Sequence, residues 1–452
     1  MELFAIFGLA IIGGLLIGFD VFDDDDDPEQ DVATPEPETP EGPGQPDPSG
    51  ILFGSGTQVV SGTGGADTFS LTDDSLGLGG AGDDSAELSE DVIFRGGEGD
   101  DDILAMNRSE AFGEAGQDTL VSRGNATVHG GSGDDTLTVR DTGLAEGGAG
   151  ADEITVRGAG TGFGGNGDDM VQAYGETGPG TVSGGDGDDY VSALRGGTAS
   201  GDAGDDTVVA GNGSTADGGT GNDLAEAIYS PSYDTTLDAA TVTGGDGDDT
   251  VGAINGGLAQ GEAGDDLMYA RRMGDPGDPD AAEQRWDIAL EGGEGDDTLM
   301  FIDSSYSAVY GSDILATGGD GADTFLLSND VYGQAGMYDF IDTDSGAPTL
   351  SPDFPLSADI GTITDFDPAE DMLVIEMSDA EVSPYVVTRT EAVATATGTD
   401  LILTAENTED SNAPVITRTL HVTGATPDDL DGLVMIEDYD HFAAIYRPAS
   451  AA

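Results

Sequence analysis

Gly130-Gly131-Ser132-Gly133-Asp134-Asp135-Thr136-Leu137-Thr138-Val139 is the stretch that decides the fold. A glycine loop closed by an aspartate is followed by apolar residues two and four positions on, which is the alternation of a strand with one buried face. The phrase returns at 96–101, 164–169, 184–189, 244–249 and 292–297. Its closing aspartates form a series: Asp67, Asp84, Asp101, Asp118, Asp135, Asp152, Asp169, Asp189, Asp206, Asp223, Asp249, Asp266, Asp297 and Asp323. Nine of the thirteen intervals are 17 residues, the length of one turn of a flattened parallel coil made of two short strands and two bends. The predicted architecture is all-β: a parallel β-roll or β-helix solenoid of about 14 turns over residues 51–329.

The strand phase follows from the same count. Inward positions after the aspartate are filled by pairs such as Phe69 and Leu71, Ile103 and Ala105, Ile154 and Val156, and Phe325 and Leu327. The opposite strand shows seven residues before it, at Val60, Phe94, Ala111, Val128, Ala145, Val182, Ala199, Ala216, Val242, Ala259, Leu290 and Ala316. So many alanines make a thin core, while ordering the backbone costs about 1 to 2 kcal/mol per residue. The coil needs a further stabiliser.

Charge points to what that stabiliser is. Among 452 residues there are 91 acidic side chains against 12 arginines and no lysine, giving a net charge of −79. Nucleic acid is excluded as a partner, because phosphate binding needs clustered cations. Metal cations are the natural partners, and without them self-repulsion keeps such a chain disordered. Cysteine is absent, so neither a disulfide framework nor a thiolate site is available.

The flanks differ from the repeat. Residues 1–22 form an apolar segment in which Leu3 to Phe19 carries no charge, read as an uncleaved membrane-anchor helix over residues 3–19 rather than a signal peptide, since a basic leader region is missing. Gly14 and Gly18 read as ordinary membrane-helix glycines. Residues 23–50, with the acidic run Asp23 to Asp27 and alternating prolines, read as an extended tether. Inserts at Ile228 to Asp238 and Arg271 to Asp287, the latter with Trp286, are expected to leave the coil as loops. Residues 330–452, with strand-like stretches at 362–366, Met372 to Glu376, Leu401 to Thr404 and Thr419 to Thr423, are expected to form a β-rich C-terminal cap.

The loop chemistry suits calcium, a hard cation that takes several oxygens in irregular geometry. Glycines allow carbonyls to turn toward one point, and each aspartate adds a charged ligand. Fourteen stacked loops leave up to thirteen sites between turns. The phrase resembles the RTX (hemolysin-type) nonapeptide repeat, Gly-Gly-x-Gly-x-Asp-x-apolar-x, of secreted bacterial toxins, proteases, lipases and surface proteins. That resemblance implies a parallel β-roll whose loop carbonyls and the fourteen aspartates named above hold Ca2+. It also implies a secreted or cell-surface location. Departures are the missing motif in half-turns such as Arg140 to Ala145, which puts calcium on one edge only, and Thr63, Glu114, Asp202 and Glu262 in place of the second glycine, where weaker sites are expected. The segment Ile363 to Ile375 resembles the stretch that follows RTX arrays in type I secretion substrates, which implies export.

Catalysis finds no constellation. His129, His421 and His441 belong to no His-Glu-x-x-His helix, and no Gly-x-Ser-x-Gly elbow occurs. The expectation is a non-enzymatic extracellular protein with a structural or adhesive role at a bacterial surface, its partners calcium and cell-surface polysaccharide or surface proteins. The alternative is a secreted hydrolase or lyase acting on polysaccharide, with the array as scaffold. Arg123, Arg140 and Arg157 recur at the 17-residue step; the ordinary reading is neutralisation of acids such as Asp141, and the functional one is a strip for anionic polysaccharide. Tyr306, Tyr310, Tyr332 and Tyr338 read as β packing, with a sugar-binding face as the alternative.

Overall fold

The computed structural model describes residues 51–229, 239–272, 287–303, 314–327, 357–376, 385–407, 411–430 and 435–436. Thr136–Val139 illustrates the rule of construction. Its threonines face out and its Leu137 and Val139 face in, as strand alternation requires. The strand pairs in parallel with the turns before and after it, with Leu137 opposite Leu120 and Ile154, each 17 residues away. Strands that follow the aspartates build one sheet in this way. Those that precede them build a second, in which Val128 of Thr127–Ser132 lies opposite Ala111 and Ala145. The result is an all-β parallel solenoid of about 12 turns with a 17-residue period.

The core is the seam between the two sheets. Every inward residue predicted from the repeat phase is buried, from Val60, Phe69 and Leu71 to Ala316, Phe325 and Leu327. The seam is as narrow as its alanines imply, and one exception explains a gap in the inward series. Gly77 stands where an apolar residue is expected; a Cβ there would collide with Phe94 and Leu71. Phe94 uses that space to pack edge-on against Phe69, ring centroids 5.0 Å apart.

Widened intervals leave the ladder intact. Ala225 pairs with Val251 and Met268 with Leu299, so the register is kept across both widened intervals. Ile228, Arg271 and Arg272, expected in loops, are strand residues of Leu224–Ile228 and Leu267–Arg272, because the parallel partners Ile254, Ile302 and Asp303 extend the pairing that far. The inserts proper, with Arg285 and Trp286, lie outside the described residues, as do the anchor and tether of 1–50, Tyr306, Tyr310, Tyr332, Tyr338 and His441.

Parallel stacking also runs past the last glycine repeat. Phe325 lies opposite Leu373, and Ala316 opposite Ile363, so Ser357–Ile363 and Met372–Glu376 add to the two sheets. Ile416–Thr423 then pairs in parallel with Ser357–Ile363, and Gly398–Asn407 and Tyr385–Ala394 continue as antiparallel strands. The region predicted to be β-rich thus holds strands grown onto the coil. Among the described residues no helix is long and apolar enough to cross a membrane.

Candidate functional site

Equal turn length brings every closing aspartate to the same edge. Asp135, 1% exposed, shows the arrangement. Its N–H donates to Asp152 Oδ1 at 2.8 Å, and its own Oδ1 accepts the N–H of Asp118 at 2.7 Å. The link passes from Asp67 to Asp323 without a break. Even the long steps keep it: Asp223 reaches Asp249 Oδ1 at 2.7 Å, and Asp266 reaches Asp297 Oδ1 at 2.9 Å. All fourteen predicted residues therefore stand in one file on one edge.

Oδ1 is satisfied; Oδ2 is not. In Asp84, Asp101, Asp118, Asp135, Asp152, Asp169, Asp189, Asp206, Asp223, Asp249, Asp266 and Asp297, Oδ2 is buried without a hydrogen-bond partner. Each such atom costs about 1 to 3 kcal/mol, and more when charged. Burial drives the carboxyls upward in pKa against the pull of the N–H bonded to Oδ1, and neighbouring aspartates add to the rise. Asp101, Asp135, Asp189, Asp206, Asp266 and Asp323 reach about 7, and Asp169, Asp249 and Asp297 about 6.

The unsatisfied oxygen looks at another oxygen. A Cβ on Gly147, the first glycine of its loop, would collide with Asp152 Oδ2 and sit 2.7 Å from the carbonyl oxygen of Gly164 in the next turn. Gly130 stands in the same relation to Asp135 Oδ2 and Gly147 O, the latter again at 2.7 Å. A carboxylate oxygen and a carbonyl oxygen thus converge on space that only glycine leaves open, with no donor between them. This is a donor set for a hard cation. Among the described residues no three acidic, imidazole or thiol side chains converge as a metal cluster, so the backbone would supply the remaining oxygens.

The second-glycine substitutions appear as backbone strain rather than as a changed edge. Gly131 has φ +124°, and Glu114, Asp202 and Glu262 hold the equivalent place at φ +80°, +78° and +81°, a region costly for a side-chain residue. The buried Oδ2 atoms of Asp118, Asp206 and Asp266 beside them are placed as elsewhere. Thr63 differs. Its N–H and Oγ1 both donate to Asp67 Oδ2, at 2.5 and 2.9 Å, so the first aspartate of the file is satisfied by protein.

The far end closes in a similar way, through residues absent from the predicted set. The N–H of Asp323 donates to Asp371 Oδ1 at 3.1 Å, and Asp371 Oδ2 accepts the N–H of Asp367 at 2.7 Å. Asp365 accepts the N–H groups of Gly318 and Gly319. A signal existed in the sequence: Leu373 and Ile375 follow Asp371 by two and four residues. The missing glycine loop hid it.

A second, exposed file was also unread. The residue before the closing aspartate accepts, through its Oδ1, the N–H of its counterpart one turn later: Asp83 from Asp100 at 3.1 Å, Asp188 from Asp205 at 3.0 Å, Asp265 from Asp296 at 2.9 Å. It runs opposite in sense to the buried file and lines a groove over Asp168, Asp188 and Asp205 with Met170 and Tyr190. Elsewhere, His129 stacks on Phe112 at 4.5 Å and bonds Glu146, while His421 bonds Asp400 and Thr397.

No protein-family model matches the sequence, and no curated protein matches it. Among solved structures the chain is similar to one described as the X-ray crystal structure of a hyperactive, Ca2+-dependent, beta-helical antifreeze protein from an Antarctic bacterium. Sequence identity is 19% and the TM-score 0.40, over 62% of this chain and 86% of that one.

Proposed function

We propose that this chain is an extracellular calcium-binding protein of the RTX type, in which calcium held between successive turns converts a disordered acidic chain into the folded solenoid. The observation that carries the reading is the file of twelve partnerless Oδ2 atoms, ten of which converge with a glycine carbonyl of the following turn. Asp84 through Asp297 of that file would hold the ions, together with the first-glycine carbonyl of the following turn.

Electrostatics supports a switch. Neighbouring strands lie about 4.8 Å apart. Two carboxylates at that spacing repel by roughly 3 kcal/mol at an effective dielectric constant of 20. Where calcium is scarce the repulsion acts along the whole edge and the thin core cannot offset it; where calcium is abundant each ion replaces repulsion by attraction on both sides. Affinities of about 10⁻⁴ to 10⁻³ M, typical of extracellular modules, fit folding outside the cell. The role is structural or adhesive at a bacterial surface, a reading that rests on the repeat and on a sequence without a recognisable catalytic constellation.

The test is far-UV circular dichroism of the full chain during a calcium titration, with magnesium as control. The expected result is a cooperative gain of β signal between about 0.1 and 1 mM calcium and none with magnesium. A chain fully folded in chelator overturns the proposal.

A further inference from the structure

Arg123, Arg140 and Arg157 sit five residues after Asp118, Asp135 and Asp152, on the outward edge of the sheet that follows the aspartates. Backbone bonds from Arg140 N–H to Ser122 O and from Arg157 N–H to Val139 O carry the stacking through these positions. All three side chains are exposed. In a chain of net charge −79, neutralisation of local acids is the first explanation. It fails on geometry. Asp141 turns its Oδ2 to the N–H of Gly124 at 2.8 Å. Among the described residues no carboxylate lies within ion-pair distance of Arg123 or Arg140, and Arg157 has only a 3.8 Å contact to Glu176. By contrast Arg95, Arg108 and Arg389 each hold a carboxylate closely. Arg140 is pushed below the usual guanidinium range by burial and by Arg123 and Arg157, with Glu176 and Asp141 offsetting part of this.

The surroundings are polar and flat. Thr138 and Thr155 pair in register beside the arginines and face outward. Tyr174 continues the column, its N–H bonded to Val156 O and its hydroxyl donating to Gln172 Oε1 at 2.7 Å; it is 37% exposed. Guanidinium forks bind carboxylate or sulfate in bidentate fashion. Hydroxyls and an anchored aromatic face suit sugar rings.

The geometry points to Arg123, Arg140 and Arg157 as a binding strip for a linear anionic polysaccharide running from turn to turn, with Tyr174 at one end. This assignment deepens the adhesive reading above and needs only a folded coil.

Isothermal titration of the full chain in about 1 mM calcium, with dextran sulfate, hyaluronan oligosaccharides and neutral dextran, tests it at low and at physiological salt. Binding to one or both anionic polymers and none to dextran is expected; the two anionic arms separate sulfate from uronate as the charged group. Simultaneous Arg123→Gln, Arg140→Gln and Arg157→Gln should weaken binding by about a thousandfold, at roughly tenfold per charged contact. Arg389→Gln should leave it unchanged, and the triple lysine variant, which keeps charge but loses the fork, should weaken it less. Circular dichroism in calcium checks that each variant is folded. Unchanged affinity in the triple glutamine variant overturns the assignment, as does failure of both anionic polymers to bind at low salt, or equal affinity for single-stranded DNA. Should the coil prove folded without calcium, the same titrations in chelator separate this strip from the calcium reading.

Discussion

Asp152→Asn swaps a carboxylate for an amide of the same shape in the middle of the file, and its effect on stability should change sign with calcium. Asp152 is 2% exposed; its Oδ1 accepts Asp135 N–H at 2.8 Å, a bond the amide oxygen keeps. At the Oδ2 position the variant places an NH2 donor toward the carbonyl of Gly164, where the native protein sets oxygen against oxygen. Without calcium the change removes one buried unsatisfied group and part of the repulsion from Asp135 and Asp169. A gain of about 1 to 3 kcal/mol follows. With calcium at about a thousand times the site's Kd, losing one ion forfeits RT ln(1 + [L]/Kd), about 4 kcal/mol, which outweighs that gain and leaves the variant about 1 to 3 kcal/mol less stable than the parent. Urea unfolding followed by circular dichroism at neutral pH, in chelator and in calcium, measures both signs; if the chelated chain is unfolded, folding it with an excluded osmolyte restores a baseline. A variant less stable than the parent in both conditions refutes the reasoning, because it would mean that Oδ2 has a protein partner.

Calcium counted by mass spectrometry after gel filtration should fall by one ion per chain in Gly147→Ala, whose new Cβ fills the cradle at Asp152, and should stay at the parent count in Asp67→Asn, whose second oxygen already belongs to Thr63. The calcium-depleted protein should lose stability as pH rises from about 4 to about 7: Asp101 and Asp135 are pushed up to about 7 when folded against 3.8 in the free carboxyl, so the folded state holds protons more tightly and its advantage disappears through that window. In calcium the slope should reverse, because protons then compete with the ion; urea midpoints across that range decide it. Phe94→Ala should cost about 3 to 5 kcal/mol in calcium, since Phe94 is fully buried and packs edge-on against Phe69; a loss below about 1 kcal/mol would show that the seam collapses.

Much of this protein was legible one residue at a time. A spacing of 17 between aspartates, with apolar residues two and four beyond, sets strand length, inward face and parallel register together, because a stack of equal turns can close in only one phase. Hence the period alone puts Val128, Leu137 and Ile154 in the core and Asp67 through Asp323 on one edge. Gly77, Asp371 and the file before the closing aspartates were not placed. Gly77 is explained only by Phe94 one turn away, and Asp371 lacks the glycine loop that marks its relatives.

What the sequence could not determine is where each oxygen points. Carboxylate direction is set by groups 17 to 48 residues distant, which sequence separation hides and stacking brings within hydrogen-bond reach. Only the tertiary structure shows that Oδ1 is taken by the N–H of the preceding aspartate in the file while Oδ2 is left bare, that Thr63 and Asp367 close the two ends, and that Asp141 bonds Gly124 instead of shielding Arg140. Local period decides the scaffold, because every turn repeats it; partner choice at each polar atom is decided by competition among groups that meet only when the turns are stacked.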